Sequence, residues 1–207
     1  MKKTNRSVPR LAALGLAVAA VLATAGGGFG AFKQGPAAKA GVNTGIDGQL
    51  ARTKAALAKY KSVAVAEADG YVLASPCLTT PTDPHQTSYG GGMGFHYVNE
   101  ALLMSGKVVA NKPPVLLYAP VGGGGLELVA AEWLKPDADQ DVTTDEDRPT
   151  LFGRAFDGPM LGHGGGMPTH FDLHVWLWKR NPSGIFASWN PAVTCPGPEA
   201  KASAHAH

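Results

Sequence analysis

The sequence predicts an α+β domain in which an N-terminal amphipathic helix packs on an antiparallel β-sheet or a small β-barrel. One segment near residue 50 repeats its apolar residues at helical spacing. Most of the remaining chain alternates short β-branched and aromatic runs with Gly- and Pro-rich turns. No helical pattern separates those runs, as the crossovers of a parallel sheet would require.

The helix is expected over residues 46–68. Ile46, Leu50, Leu57, Tyr60 and Ala64 fall on one stripe, and Arg52, Lys54, Lys59 and Lys61 lie mostly elsewhere. Asp47 is placed to cap its start, and Gly70 suits the left-handed position past its end. A short strand at 71–74 leads into a polar loop over 79–92 that contains His85. A strand at 93–98 and one helical turn within 99–105 come next. Strands at 115–118 and 126–134 flank the run PVGGGG at 120–125, a hairpin connection. Residues 136–149 form an acidic loop, and 171–179 form the clearest strand. Asn181-Pro182-Ser183-Gly184 is a turn, after which 185–188 returns toward Cys195. No fixed-period repeat is present.

The ends of the chain carry a different signal. Lys2, Lys3, Arg6 and Arg10 precede an apolar run over 11–22, and Ala23-Thr24-Ala25 supplies a small-x-small exit. The run is shorter than the ~20 residues a bilayer-spanning helix needs. Residues 1–25 therefore read as a secretory signal peptide, with an uncleaved anchor as the alternative. The expected product is secreted or held in the cell envelope or periplasm, and it meets the membrane only during export. Residues 26–41 form a Gly/Ala/Pro linker and 197–207 a tail, both too poor in large apolar groups to order themselves, leaving a single α+β domain over 42–196. His205 and His207 sit in that tail.

The whole chain has 18 Lys+Arg against 16 Asp+Glu, a formal +2. Setting aside the four basic residues of the signal leaves 14 against 16, a formal −2. A mildly acidic product lacks the clustered Lys/Arg that nucleic acid would require, so nucleic acid is excluded as a partner. Cys77 and Cys195 are the only cysteines; in an exported chain an even count favours a disulfide, against a free thiol at Cys77.

Several motif readings fail. The Gly clusters at 90–92, 122–125 and 164–166 spell neither GxGxxG nor a GKS/GKT phosphate loop. GxSxG, HExxH and CxxCH are absent. Asp137, Asp139 and Asp141 begin like a calcium loop, but Val142 stands where an EF-hand needs Gly and Arg148 where it needs Glu. A solvated acidic loop with at most loose Ca²⁺ affinity is the better account.

The chemistry-bearing residues gather in one strand. Along residues 170–178, His170, Asp172, His174, Trp176 and Trp178 point to one face, and Phe171, Leu173, Val175 and Leu177 to the other. The second face is core. On the first, His174 and Asp172 are close enough to converge, whereas His170 and His174 stand ~13 Å apart and cannot share an ion without a bend. Two further residues break apolar patterns: His96 within its strand, and Glu132 on a face shared with Leu126, Leu128, Ala130 and Leu134. A buried carboxylate must find a partner or a metal. His96, Glu132 and His174 offer two nitrogens and one oxygen, a set suited to Zn²⁺ or another divalent transition metal such as Fe²⁺ or Mn²⁺. His170, Asp172, His163 and Trp176 would form the surrounding shell or rim, with His163 and His170 flanking the Gly-rich loop 162–167. The ordinary alternative is that each His bonds a carbonyl or an Asp, with Glu132 paired to His174 or Arg154 and the Trp residues serving as packing.

The stretches MGFHYVNEALL, KPPVLLYAP and HFDLHVWLWKRNPSGIFASWNP, together with the final TCP, resemble a family of uncharacterised secreted bacterial proteins. The resemblance covers roughly residues 47–196. It implies one exported domain and lends no mechanism. The expected function is metal-ion or small-ligand binding at the His/Glu cluster. A metal-dependent or acid–base enzyme using the same residues, or a purely structural envelope protein, stands as the alternative; catalytic roles and oligomeric state are not legible.

Overall fold

A computed structural model of the chain describes residues 45–79, 90–163 and 166–196, all within one compact unit. The expected signal, linker and tail, together with His85, lie outside the described residues.

The N-terminal helix forms, but in two pieces. Helix α1 (Ile46–Leu57) tightens into a 3₁₀ turn at Ala58–Lys61, stops at Ser62 (φ −91°, ψ 116°) and restarts as α2 (Val63–Ala68). The Tyr60 carbonyl accepts from the Tyr118 hydroxyl at 2.6 Å, an anchor to the sheet in place of an intrahelical bond. The break changes the phase of the stripe: Leu57 and Tyr60 are buried as expected, whereas Ala64 is exposed and Ala66 is buried in its place. Gly45, not Asp47, occupies the N-cap position. Gly70 takes φ +91°, and the bonds Gly70 N–Glu67 O and Tyr71 N–Ala66 O close the helix as a left-handed C-terminal cap.

The chain then builds a seven-stranded antiparallel sheet. Strands β1 (Val72–Leu73) and β2 (Leu78–Thr79) lie along β3 (Gly92–Val98), which is followed by the short helix α3 (Glu100–Met104). Strands β4 (Val115–Pro120) and β5 (Leu126–Pro136) form the hairpin expected from PVGGGG. A separate pair, β6 (Thr150–Leu151) and β7 (Arg154–Ala155), precedes β8 (Asp157–Met160) and β9 (His170–Val175). The order is β1-β3-β4-β5-β9-β8, and among the described residues no pairing joins the two edges. The sheet is open, so the barrel alternative gains no support.

Both faces of this sheet are buried. The face toward the N-terminal helices gathers Leu57, Tyr60, Tyr97, Tyr118, Trp133 and Leu173. The other holds Val115, Leu117, Ala119, Val129, Ala130 and Trp176, and Val193 packs onto it. The returning segment is fixed by Gly92–Asn190 backbone bonds in both directions. Close approach there needs glycine: Gly91 has φ +114°, and a Cβ would lie 2.2 Å from the Asn190 carbonyl oxygen. The Cys77–Cys195 disulfide closes the segment, with a Cα–Cα distance of 5.6 Å.

Two departures from strict alternation matter for the site. Leu117 pairs with Ala130 and Tyr118 with Leu128, leaving Val129 as an extra residue in β5. The bulge sends Leu126 and Leu128 to the helix side, so neither shares a face with Glu132. Strand β9 ends at Val175 rather than continuing to residue 179: Trp176 N bonds Ile185 O, and Trp178 N bonds the Val129 carbonyl. Trp178 consequently packs with the helix-side core, away from His174.

The disulfide spans a sequence separation of 118 residues, so loop-closure entropy sets its contribution at up to about 4–5 kcal/mol. Replacing both cysteines by alanine should lower the urea midpoint substantially and raise the m-value, because the unbridged unfolded chain exposes more surface. A midpoint equal to that of the parent would show that the bridge contributes nothing.

Candidate metal centre

Register brings the charged residues together. Glu132 on β5 lies directly opposite His174 on β9, and on its other side opposite Val115 of β4. His96 on β3 stands opposite Leu117 of β4, and its imidazole reaches the carboxylate of Glu132 across that strand. One ligand atom each from His96, Glu132 and His174 falls within 4.8 Å of the others.

The spacing is unusual for hydrogen bonding. Glu132 Oε2 is 3.6 Å from His96 Nε2 and 3.7 Å from His174 Nε2, while His174 Nδ1 is 3.8 Å from Asp172 Oδ1. All three separations exceed hydrogen-bond length. Glu132 Oε2, Asp172 Oδ1 and both ring nitrogens of His174 are buried without any hydrogen-bond partner. Leaving such groups unpaired costs about 1–3 kcal/mol each, more where charge is involved. Two ligands on a tetrahedral ion at 2.0–2.1 Å stand ~3.3–3.4 Å apart, close to the His–Glu spacings here.

His96 is oriented from its other side. Ser75, at the bend between β1 and β2, places its Oγ 3.1 Å from His96 Nδ1 and 3.1 Å from the His96 backbone N. With the Ser75 hydroxyl proton on Pro76 O at 2.8 Å, its oxygen accepts from His96 Nδ1–H, the tautomer that turns the Nε2 lone pair toward Glu132. A lone pair aimed at a carboxylate is repulsive unless a proton or a cation lies between them.

The electrostatics divide the roles. Burial, reinforced by the nearby His174, lowers the pKa of His96 to about 3 and keeps it neutral. Burial also favours a neutral His174, but the carboxylates of Glu132 and Asp172 outweigh it and raise its pKa to about 9. Burial raises Glu132 to about 7 despite the opposing pull of His174. Asp172 is held below the usual carboxylate range because His174 overcomes the effect of burial. A dication with Glu132 and Asp172 ionised and both imidazoles neutral would make the group electrically balanced.

The remaining expected residues surround this group without joining it. His170 is buried, with its Nδ1 3.0 Å from Pro168 O and its ring edge-on to His163 at 5.2 Å between centroids. Trp176 forms a wall and donates Nε1–H to Ala187 O at 2.6 Å. Arg154 forms no ion pair with Glu132, whose ionic contacts are the two imidazoles.

Two residues escaped the sequence reading. Ser75 sits in a stretch with no pattern pointing at His96. Asp157 lies opposite Asp172 in the β8–β9 ladder, and Gly158-Pro159 obscured that strand. Asp157 also borders a cleft of about 520 Å³ lined by Arg154, Ser183, Phe186 and Trp189 among others. None of His96, Glu132 or His174 lines this cleft. No helix among the described residues is long and apolar enough to cross a membrane. No protein family matches the chain, and no curated protein and no solved structure is similar to it, so the residues themselves carry the functional argument.

Proposed function

We propose that the chain is an exported protein that binds a divalent transition-metal ion, with Zn²⁺ the first choice, through His96, Glu132 and His174. One observation carries this reading: buried donor atoms of Glu132 and His174 lack hydrogen-bond partners and stand at the spacing of ligands around one ion. Two nitrogens and one oxygen suit Zn²⁺, Fe²⁺ and Mn²⁺. Asp172 would orient His174 through Nδ1, as second carboxylates do for metal-bound imidazoles. Export is supported by the disulfide and by the basic, apolar and small-residue order of residues 1–25. The family resemblance read from the sequence agrees with export and adds no activity.

A second reading, a metal-dependent enzyme, draws on the ligand count. Three protein ligands leave a fourth position for water or substrate, the pattern of catalytic rather than structural zinc sites. Asp157 links the neighbourhood of Asp172 to the adjacent cleft, where a small molecule would bind. A bound ion would supply Lewis acidity; this chain's own part is to hold His174 in one orientation and keep the group dry.

Three measurements test the proposal. Zn²⁺ at a hundredfold excess over Kd should raise Tm by about 5–10 °C, and His174→Ala should abolish the rise. Unchanged melting in the untagged parent protein would sink the metal reading. Asp172→Asn should weaken Zn²⁺ 10–100-fold while keeping one site, separating an orienting role from ligation; an unchanged affinity would remove Asp172 from the centre. The third concerns protons. His174 is protonated below about pH 9 in the free protein and must be neutral to bind metal, so acidification weakens binding. Below about pH 7 Glu132 adds a second proton to be displaced. Calorimetry near neutral pH in buffers of different ionisation enthalpy should detect release of about one proton per Zn²⁺. Heats independent of buffer would contradict this assignment.

A further inference from the structure

The cleft beside β8 has two walls, each held by its own bonds. On one side Leu151 pairs with Arg154 across a two-residue turn in which Phe152 (φ +53°) and Gly153 (φ +68°) are both left-handed. Phe152 keeps that backbone while its ring is buried, edge-on to Trp133 at 5.4 Å between centroids. Phe156 is buried just beyond Arg154, and its carbonyl accepts from Arg148 Nη1 at 2.8 Å. Between and after these anchors, Arg154 and Asp157 reach the cleft. Asn181, itself buried, organises the other wall. Its Nδ2 donates to Trp189 O at 2.9 Å, its Oδ1 accepts from Ser183 N at 3.0 Å, and its carbonyl accepts from Gly184 N at 3.1 Å. The segment so fixed lines the cavity of about 520 Å³ with Ile185, Phe186 and Trp189.

Arg154 and Asp157 are the charged groups of this lining. Neither side chain forms an ion pair or a hydrogen bond with any described residue. Burial and the charge of Asp172 hold the Asp157 carboxyl above its usual range, and Arg154 opposes them without prevailing. The two charges are thus too far apart to pair, yet near enough for one to act on the other. Asp157 lacks a cation and Arg154 an anion. A molecule that closes such a gap carries both charges, and the facing apolar and aromatic surface asks for an apolar body between or beside them.

We infer that the cleft binds a small zwitterion with an apolar side chain, of the α-amino-acid or dipeptide class, its carboxylate on Arg154, its ammonium on Asp157 and its side chain against Ile185 and Phe186. A guanidinium takes a carboxylate in a two-bond fork, and both contacts are charge-assisted. A ligand of one sign would leave the other cleft charge unanswered. This gives the small molecule of the second reading above a chemical class, but it requires no ion, because none of His96, Glu132 and His174 lines the cavity.

The test is titration of the full chain with L-leucine and with L-leucyl-L-leucine in the presence of a chelator, followed by calorimetry and by the fluorescence of the tryptophans, one of which lines the cleft. The tighter of the two should bind saturably with Kd below about 1 mM. Acetylating its amine or amidating its carboxylate should each weaken binding about tenfold or more. Asp157→Asn should erase the penalty for acetylation and Arg154→Gln the penalty for amidation, whereas His174→Ala should leave affinity for the unblocked probe unchanged. Should Asp157→Asn fail to fold, Arg154→Gln, at an exposed residue, carries the same expectation for its own charge. The inference is overturned by the absence of saturable binding up to ~10 mM, by equal affinity for blocked and unblocked probes, or by penalties that persist in the folded variants. Because the titration is run without metal, its failure leaves Zn²⁺ binding by the parent untouched, and the reverse holds equally.

Discussion

A carboxylate placed inside a doubly covered sheet must be neutralised, shared or ligated, and Glu132 sets that requirement for the whole molecule. Its Oε2 has an imidazole on each side, at 3.6 Å and 3.7 Å, and no hydrogen bond to either. Bulk solvent barely reaches it, because Glu132 is 5% exposed and His174 only 1%. A sheet built for stability alone would put Leu or Val there, since replacing buried charges by packed apolar groups is often neutral or stabilising. The central strands otherwise follow that rule, with Leu116, Leu117, Val129, Ala130 and Ala131 all fully buried. The charge is thus an exception inside a core that has no difficulty excluding polar groups.

The fold holds this exception in place from several directions. The β5–β9 register fixes Glu132 against His174, and β4 separates His96 from both while keeping them on one face. Ser75 orients the His96 ring from the sheet edge, and Asp172 faces the outer nitrogen of His174. The segment ending at Cys195 covers this side of the sheet through Val193 and Asn190, and the disulfide fastens it. Strands of the sheet supply all three side chains, and rigid elements hold such donors at a fixed spacing. The arrangement carries a stability cost in the unpaired groups that ion binding would recover.

Much of this was legible from the chain. His170–Val175 reads as a strand because its residues alternate without interruption, and that alternation alone assigns His174 and Asp172 to one face. Glu132 and His96 stood out as polar residues within apolar strands, although nothing in their separation by 36 positions announced that β4 would let them meet. The cysteine pairing followed from the even count and the expected export. What failed did so locally. The bulge at Val129 is invisible because Leu126, Leu128 and Ala130 keep an apparently unbroken alternation. The stop at Ser62 depends on Tyr118, 56 residues away, taking the neighbouring Tyr60 carbonyl from the helix. Strand β8 was hidden by Gly158-Pro159, which an edge position tolerates and a sequence pattern does not.

The central claim is that one ion bridges His96, Glu132 and His174. X-ray absorption at the zinc edge of the zinc-loaded protein measures that directly. The account predicts a shell of nitrogen and oxygen at ~2.0–2.2 Å with outer-shell scattering from two imidazoles, reduced to one imidazole or lost with the ion in His174→Ala. A sulfur shell, or a spectrum of hydrated zinc indifferent to that substitution, would contradict it.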